Sequence, residues 1–297
     1  MSTNNLRRFV VLGYICLFFL YLFGPLLIMS ASAFNQSSYP TITPWEGFTF
    51  KWFGELAEND RLIAGLINSL WIGAGVCALS VPIALAGAIM LTQINERVRP
   101  VFYTIIVSPV LVPGVIIGIS TVIFWERFGS VVGLDYETTN NPFFLTIMGQ
   151  STFISAYCML VFLARLQRFD RTQEEAALDL GATHVQVFWK VLIPFLRPAI
   201  LSSIVLAFLT SFENYNTTVF TMVARGTLTT ELAGLSRFGV NPSISALAVV
   251  IMGATLIAAV IYEIKKRREE AVIAASVKRA AMKRQEDTAA AAAAVAS

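Results

Sequence analysis

Residues Thr172 to Pro194 read TQEEAALDLGATHVQVFWKVLIP. This is a long polar interruption with an apolar run on each side, on the face that basic residues assign to the cytoplasm. Thr172 and Glu175 have the spacing of a capping box, in which a hydroxyl and a carboxylate each satisfy an orphan backbone N–H; this predicts a helix from Gln173. Gly181 is suited to the left-handed conformation that closes a helix. Thr183 and Gln186 repeat the capping spacing and predict a second short helix, with Val185, Phe188, Trp189 and Leu192 at helical intervals. Pro194 is expected to stop it. The expected object is a pair of short helices with a tight corner, and Ala176 and Ala177 let another surface come close. Such a piece suits insertion into a groove.

The order Glu175-Ala176-Ala177, three residues, Gly181, nine residues, then Val191-Leu192-Ile193-Pro194 resembles the E-A-A…G…I-x-L-P loop of the membrane permease subunits of binding-protein-dependent ABC importers. The resemblance implies an all-α integral membrane protein with six transmembrane helices, in the type I importer (MetI-like) architecture. It implies that residues 172–194 form a coupling hairpin seated in a cleft of a separate ATP-binding subunit, with Glu174, Glu175, Ala176, Ala177, Gly181, His184 and Pro194 as the coupling residues. A second permease subunit and an extracytoplasmic solute-binding protein are implied as partners. ATP and Mg would belong to the ATPase, with no cofactor on this chain.

Composition is consistent with a membrane chain: 56% of the 297 residues are hydrophobic and 14% are charged, against roughly 25% charged in soluble domains. Six stretches are long enough to cross the hydrocarbon layer as helices, near Phe9 to Ala33, Ile63 to Thr92, Val101 to Trp125, Phe143 to Ala164, Pro198 to Met222 and Ser243 to Tyr262. Lys and Arg are retained on the cytoplasmic side. With both termini inside, seventeen of the 22 basic residues are cytoplasmic and five, Lys51, Arg61, Arg127, Arg225 and Arg237, are outside. The expected organisation is a cytoplasmic segment 1–8, a six-helix permease domain 9–264 and a basic, then Ala-rich, cytoplasmic tail 265–297, in a bacterial inner membrane. The net charge of +3 is topological information and does not mark a nucleic-acid surface. The apolar run after Arg7-Arg8 exceeds the length of a signal-peptide core, so an uncleaved first helix is expected. Cys16, Cys77 and Cys158 fall in separate spans without C-x-x-C spacing and are read as packing residues.

Along the chain, Phe34 to Arg61 mixes Trp45, Phe48, Phe50, Trp52 and Phe53 with acidic residues, the composition of an interfacial aromatic belt or of a contact for a soluble partner. Pro82, Pro109 and Pro113 predict kinks in the second and third spans, for packing or for lining an interior path. In the fourth span, Gln150, Ser151, Thr152, Ser155 and Tyr157 are expected to make interhelical hydrogen bonds. Glu213 lies roughly 22 Å along the fifth span. A carboxylate in hydrocarbon is costly, so it should face a cavity, a cation or a neighbouring helix.

Ser211-Phe212-Glu213-Asn214-Tyr215 resembles the S-F-D-D-like motif of spermidine/putrescine-type permeases, with Glu213 and Asn214 in the acidic slots. The segments around Pro109 to Gly114 and Gly239 to Ala248 are similar to the same branch. The resemblance implies a solute path that includes Glu213, Asn214 and Tyr215, and polyamines or a related small organic solute as cargo. The sequence has no G-x-x-x-x-G-K-[ST] loop, His-Glu-x-x-His or G-x-S-x-G, so no recognised catalytic constellation is present. A secondary transporter or channel, or a membrane scaffold, remain as alternatives in which the hairpin would serve without an ATPase.

Overall fold

An apolar run in lipid must satisfy its own backbone, which favours helix. The computed structural model describes residues 3–223, 225–237, 241–257, 260–261, 263–264 and 267. Its helices in chain order are α1 (Thr3–Ser32), α2 (Lys51–Ala57), α3 (Asp60–Gln93), α4 (Arg99–Leu111), α5 (Gly114–Val132), α6 (Tyr136–Thr139), α7 (Pro142–Leu166), α8 (Thr172–Asp179), α9 (His184–Val187), a π turn (Phe188–Leu192), α10 (Ile193–Phe212), α11 (Thr218–Thr221), α12 (Leu228–Arg237) and α13 (Pro242–Ile257). Among the described residues, five helical stretches have the length and composition to cross a membrane: Arg7–Ser32, Asp60–Gln93, Gly114–Val132, Pro142–Leu166 and His184–Phe212. Of two shorter apolar helices, α13 falls on the sixth predicted span and α4 is the first part of the third. The tail beyond Ile264 lies outside the described residues except for Arg267.

The chain forms two compact units, residues 1–56 with 240–297, and residues 57–239. In the first, Asn35 ties the loop after α1. Its side-chain amide donates to the carbonyls of Thr41 (2.9 Å) and Pro44 (3.1 Å), its Oδ1 accepts from Glu46 N (2.9 Å), and its carbonyl accepts from Trp52 Nε1 (2.7 Å). Trp52 is buried with Ala33 and Ala246, and Ser32 donates to Ser245 (3.1 Å). The aromatic rings of this loop cluster around Phe34, leaving Phe48 and Phe50 exposed.

In the second unit α3, α7 and α10 pack together. Ile72, Val76, Ala84 and Ala88 form a stripe at four-residue multiples on α3 and meet Ile154, Cys158, Met159 and Phe162 of α7 and Ala199 and Ala207 of α10. Residues at that spacing share one face, so mostly modest side chains permit close packing.

The predicted continuous third span is corrected: it is two helices. Val112 is extended (φ −84°, ψ 130°), and Pro113 holds φ −54°, ψ 133° before α5 begins. A residue preceding proline is pushed out of the helical region, and Val112 N turns back to Pro109 O (3.2 Å). The two prolines therefore produce a break, where kinks were expected.

Candidate functional site

The hairpin begins at Asp170. Its Oδ1 accepts from the Thr172 amide (3.0 Å) and the Thr172 hydroxyl (2.8 Å). This corrects the capping box expected between Thr172 and Glu175. The Thr172 hydroxyl donates to that carboxylate, and Thr172 is itself the first helical residue after the cap position Arg171, so Glu175 N bonds to Arg171 O (3.2 Å). Helix α8 consequently starts at Thr172.

The other end of α8 closes as expected. Gly181 has φ +85°, Gly181 N donates to Leu178 O (2.9 Å), and Ala182 N donates to Ala177 O (3.0 Å). These two bonds make a Schellman closure, which needs a residue that tolerates the left-handed conformation. Thr183 and Gln186 form the expected capping box: Gln186 Oε1 accepts from Thr183 N (2.9 Å) and Thr183 Oγ1 accepts from Gln186 N (3.3 Å).

Pro194 does not stop the chain, which corrects the second local expectation. Helix runs from His184 to Phe212, with Pro194 in the first turn of α10. The π turn over Phe188–Leu192, where Ile193 N reaches back to Phe188 O, precedes the residue that has no N–H to offer. A π turn shifts the hydrogen-bond register by one residue, so the proline enters at a register change. The hairpin is thus continuous with a helix about 43 Å long.

Arg171 Nη2 donates to Thr92 O (2.8 Å) at the end of α3, giving a C-terminal carbonyl a cationic partner. A cavity of about 410 Å³ separates the hairpin from that end of α3, and Glu174, Glu175 and His184 all line it with Arg171, Gln93 and Leu178. Ala176 is exposed on another side and Ala177 is half-buried. Pro194, half-buried in α10, stands apart from the hairpin tip. Leu180, Val185 and Trp189 leave 89%, 67% and 63% of their surface exposed. Leu180 and the two root residues Asp170 and Arg171 escaped sequence reasoning. The Asp-x-Thr spacing at 170–172, an acceptor two residues before a backbone donor, was the available signal.

At the far end of the same helix α10 terminates at Phe212 and Glu213 is its C-cap residue, exposed. The expectation of a carboxylate inside a continuous span is corrected. Asn214 ends the helix: its Oδ1 accepts from Thr217 N (3.2 Å), Thr218 N (3.3 Å) and Thr218 Oγ1 (3.1 Å), capping α11. The Tyr215 hydroxyl accepts from Arg237 Nη2 (3.2 Å). Glu213 has no cation within ion-pair distance among the described residues. It occupies the negative end of the α10 dipole, where a carboxylate is unfavourable by about 0.3–1 kcal/mol. Both features are negative, so a positive charge beside Glu213 would be favoured by each.

Gln150 of α7 holds this region together, donating from Nε2 to Thr218 Oγ1 (2.8 Å) and accepting from Ser211 Oγ (2.5 Å). The interhelical role expected for it is what the structure shows. Thr217, fully buried, sits in a notch of three glycines and donates to Gly114 O (3.2 Å). A Cβ on Gly118 would lie 2.7 Å from Thr217 O. The break between α4 and α5 therefore meets the break between α10 and α11, and neither interruption could be paired with the other from sequence. Among the described residues no three His, Cys, Asp or Glu side chains could hold a metal ion.

The chain is 33% identical over 239 residues to the putrescine transport system permease protein PotI of Escherichia coli K12, covering 80% of this chain and 83% of that one. It is 26% identical over 259 residues to the spermidine/putrescine transport system permease protein PotC of Haemophilus influenzae, covering 87% and 96%. Among solved structures it resembles a bacterial ABC transporter involved in import of the acidic polysaccharide alginate, with a TM-score of 0.65, 20% identity and coverage of 87% of this chain and 93% of that one. At that identity the likeness speaks to the fold. Residues 80–270 match the family model described as binding-protein-dependent transport system inner membrane component. With nearly two thirds of its length matched, the chain belongs to the family of inner-membrane permease components of binding-protein-dependent transport systems.

Proposed function

We propose that this permease subunit forms half of the membrane path of an ATP-driven importer for polyamines, linear cations of the putrescine and spermidine class. It pairs with a second permease, receives solute from an extracytoplasmic binding protein and docks a separate ATP-binding subunit through the hairpin. Both termini and the hairpin face the cytoplasm in this reading, as the distribution of basic residues favours.

The observation that carries the proposal is the helix from His184 to Phe212, which has the hairpin at one end and, at the other, Glu213, with no cationic side chain in ion-pair distance among the described residues. A partner that moves the exposed Leu180, Val185 and Trp189 side chains moves a helix whose outer end presents negative charge. Solute chemistry is supported by that charge and by the names of the relatives. An alkyl diammonium finds a carboxylate and a helix C-terminus in one place, both favouring positive charge. Alternating access follows as rocking of α10 against the α4–α5 break, with Thr217 as the point of contact.

The test is uptake of labelled putrescine and spermidine into proteoliposomes holding this chain with its permease partner, ATPase and binding protein. ATP-dependent accumulation, weakened severalfold by Glu213→Gln with insertion unchanged, is expected. If another solute couples to ATP and polyamines do not, the substrate reading falls and the transport role stands. If Glu175→Lys and Gly181→Val both leave ATP-driven uptake normal, the hairpin is not the coupling element.

A further inference from the structure

A second cavity, about 620 Å³, opens beside the hairpin root between the end of α3, the start of α4 and the end of α7. Its polar wall is made by Arg99, Tyr103, Gln167 and Arg171, and Leu163 and Leu166 line its apolar part. Arg99 and Tyr103 are one helical turn apart and share a face of α4. Both arginines are exposed, and among the described residues neither has a carboxylate within ion-pair distance. Arg171 uses one nitrogen on Thr92 O (2.8 Å), and Arg99 makes a long bond to Ile94 O (3.4 Å), which leaves most guanidinium donors of the pair unspent.

We infer that this cavity is a binding site for an anionic phospholipid, the phosphate held between Arg99 and Arg171 and the first part of an acyl chain lying on Leu163 and Leu166. Three observations select that occupant. Two guanidinium groups line the cavity, with no carboxylate among its lining residues and none within ion-pair distance of either among the described residues. The polar and apolar walls lie side by side, matching the junction of headgroup and chain. The site is placed where apolar helices end: α3 stops at Gln93, α4 starts at Arg99 and α7 stops at Leu166, which is the level of lipid phosphates for spans of this length. Basic pockets between membrane helices are suited to anionic headgroups. Guanidinium groups are also well matched to phosphate, because a planar fork meets two oxygens.

The site has a mechanical consequence. Arg171 immediately precedes α8 and already ties the hairpin root to α3. A phosphate bridging Arg171 to Arg99 adds α4 to that tie, so lipid occupancy braces the hairpin against the bundle. The inference depends on α3, α4 and α7 lying in a membrane and is independent of the solute carried.

The experiment measures retention of phosphatidylglycerol, against phosphatidylcholine, by the full transporter complex using native mass spectrometry of detergent-released particles. Each guanidinium removed is expected to weaken retention of the anionic lipid about fivefold. Arg99→Gln leaves the Arg171–Thr92 bond intact and therefore tests the site without loosening the hairpin. Arg97→Gln is the control, since it removes a neighbouring exposed charge that does not line the cavity. Loss of phosphatidylglycerol in Arg99→Gln and Arg171→Gln, with Arg97→Gln unchanged and 10-fold excess inorganic phosphate without effect, supports the site. Equal loss in all three variants would show diffuse attraction to charge and overturn it. So would competition by inorganic phosphate, which marks a free-anion site, or retention only when the partner subunits are absent, which marks a protein interface.

Discussion

Gly181→Ala isolates the conformational requirement of the hairpin corner. The Gly181 φ of +85° is one that alanine adopts only with strain, while a Cβ built there meets nothing within 4 Å among the described residues. Steric overlap within the subunit is therefore absent, and the cost is the backbone term alone, about 1–2 kcal/mol. That is a factor of about 5–30 in the ratio of closed to open corner. The amides of Gly181 and Ala182, which make the two closing bonds, report the change directly by hydrogen exchange in nanodiscs. Exchange at those two amides in the wild type, and at Ala182 in Gly181→Ala and Gly181→Asn, separates the possibilities. Faster exchange of Ala182 in the alanine variant, largely restored by asparagine, which tolerates the left-handed region, is expected. Equal exchange in all three proteins would refute the argument that left-handed geometry holds the corner. Unchanged exchange accompanied by lost ATP-driven transport would instead place the added methyl against the partner subunit.

Asp170→Ala is expected to lower helicity at the start of α8 and cost about 0.5–2 kcal/mol locally, read as increased exchange at the Thr172 amide. Thr172→Val should cost less, because the carboxylate still reaches the backbone amide. Gln150→Leu leaves Ser211 and Thr218 without their shared partner in a buried place and should destabilise the detergent-solubilised protein by about 1–2 kcal/mol in thermal or denaturant unfolding. Little change in stability would mean that the two hydroxyls find other partners. Gly118→Ala forces a Cβ to 2.7 Å from a backbone oxygen and is expected to cost about 1–3 kcal/mol by overpacking. Uptake should fall in the same variant although the hairpin is distant, and normal uptake with normal stability would deny the two helix breaks a joint role.

Local rules carried the hairpin far. Gly181 and the Thr183–Gln186 box are set by contacts within six residues, so their geometry was legible in the chain. Thr172 was misread because two carboxylates compete for its amide, and Asp170, two residues upstream, takes it where Glu175 was expected to. Pro194 was misread for a different reason. Its missing N–H was visible, but the register change that accommodates it arises in the preceding turn, where Phe188 to Leu192 carry no distinguishing composition. Pro109 and Pro113 announced an irregularity; whether it would be a kink or a break depended on the extended conformation of Val112. Glu213 was placed inside the fifth span, roughly 22 Å along it, by counting apolar residues. The count could not register that the Asn214 side chain accepts from Thr217 and Thr218 at the start of α11 and that α10 ends at Phe212, short of the Met222 expected. What sequence could not supply at all was the meeting of distant interruptions, Gly114 with Thr217, because nothing local encodes it.

The π turn between hairpin and span has a consequence for rotational phase. Each residue of an α-helix advances the azimuth by about 100°, so one additional residue in a turn re-clocks everything beyond it relative to everything before. The extra residue in Phe188–Leu192 therefore sets the phase of the hairpin against the face of α10 on which Ser211 meets Gln150. Removing a residue there would leave hydropathy, capping and length almost untouched, yet it would swing the outer end of the helix roughly a quarter turn out of alignment with its inner end.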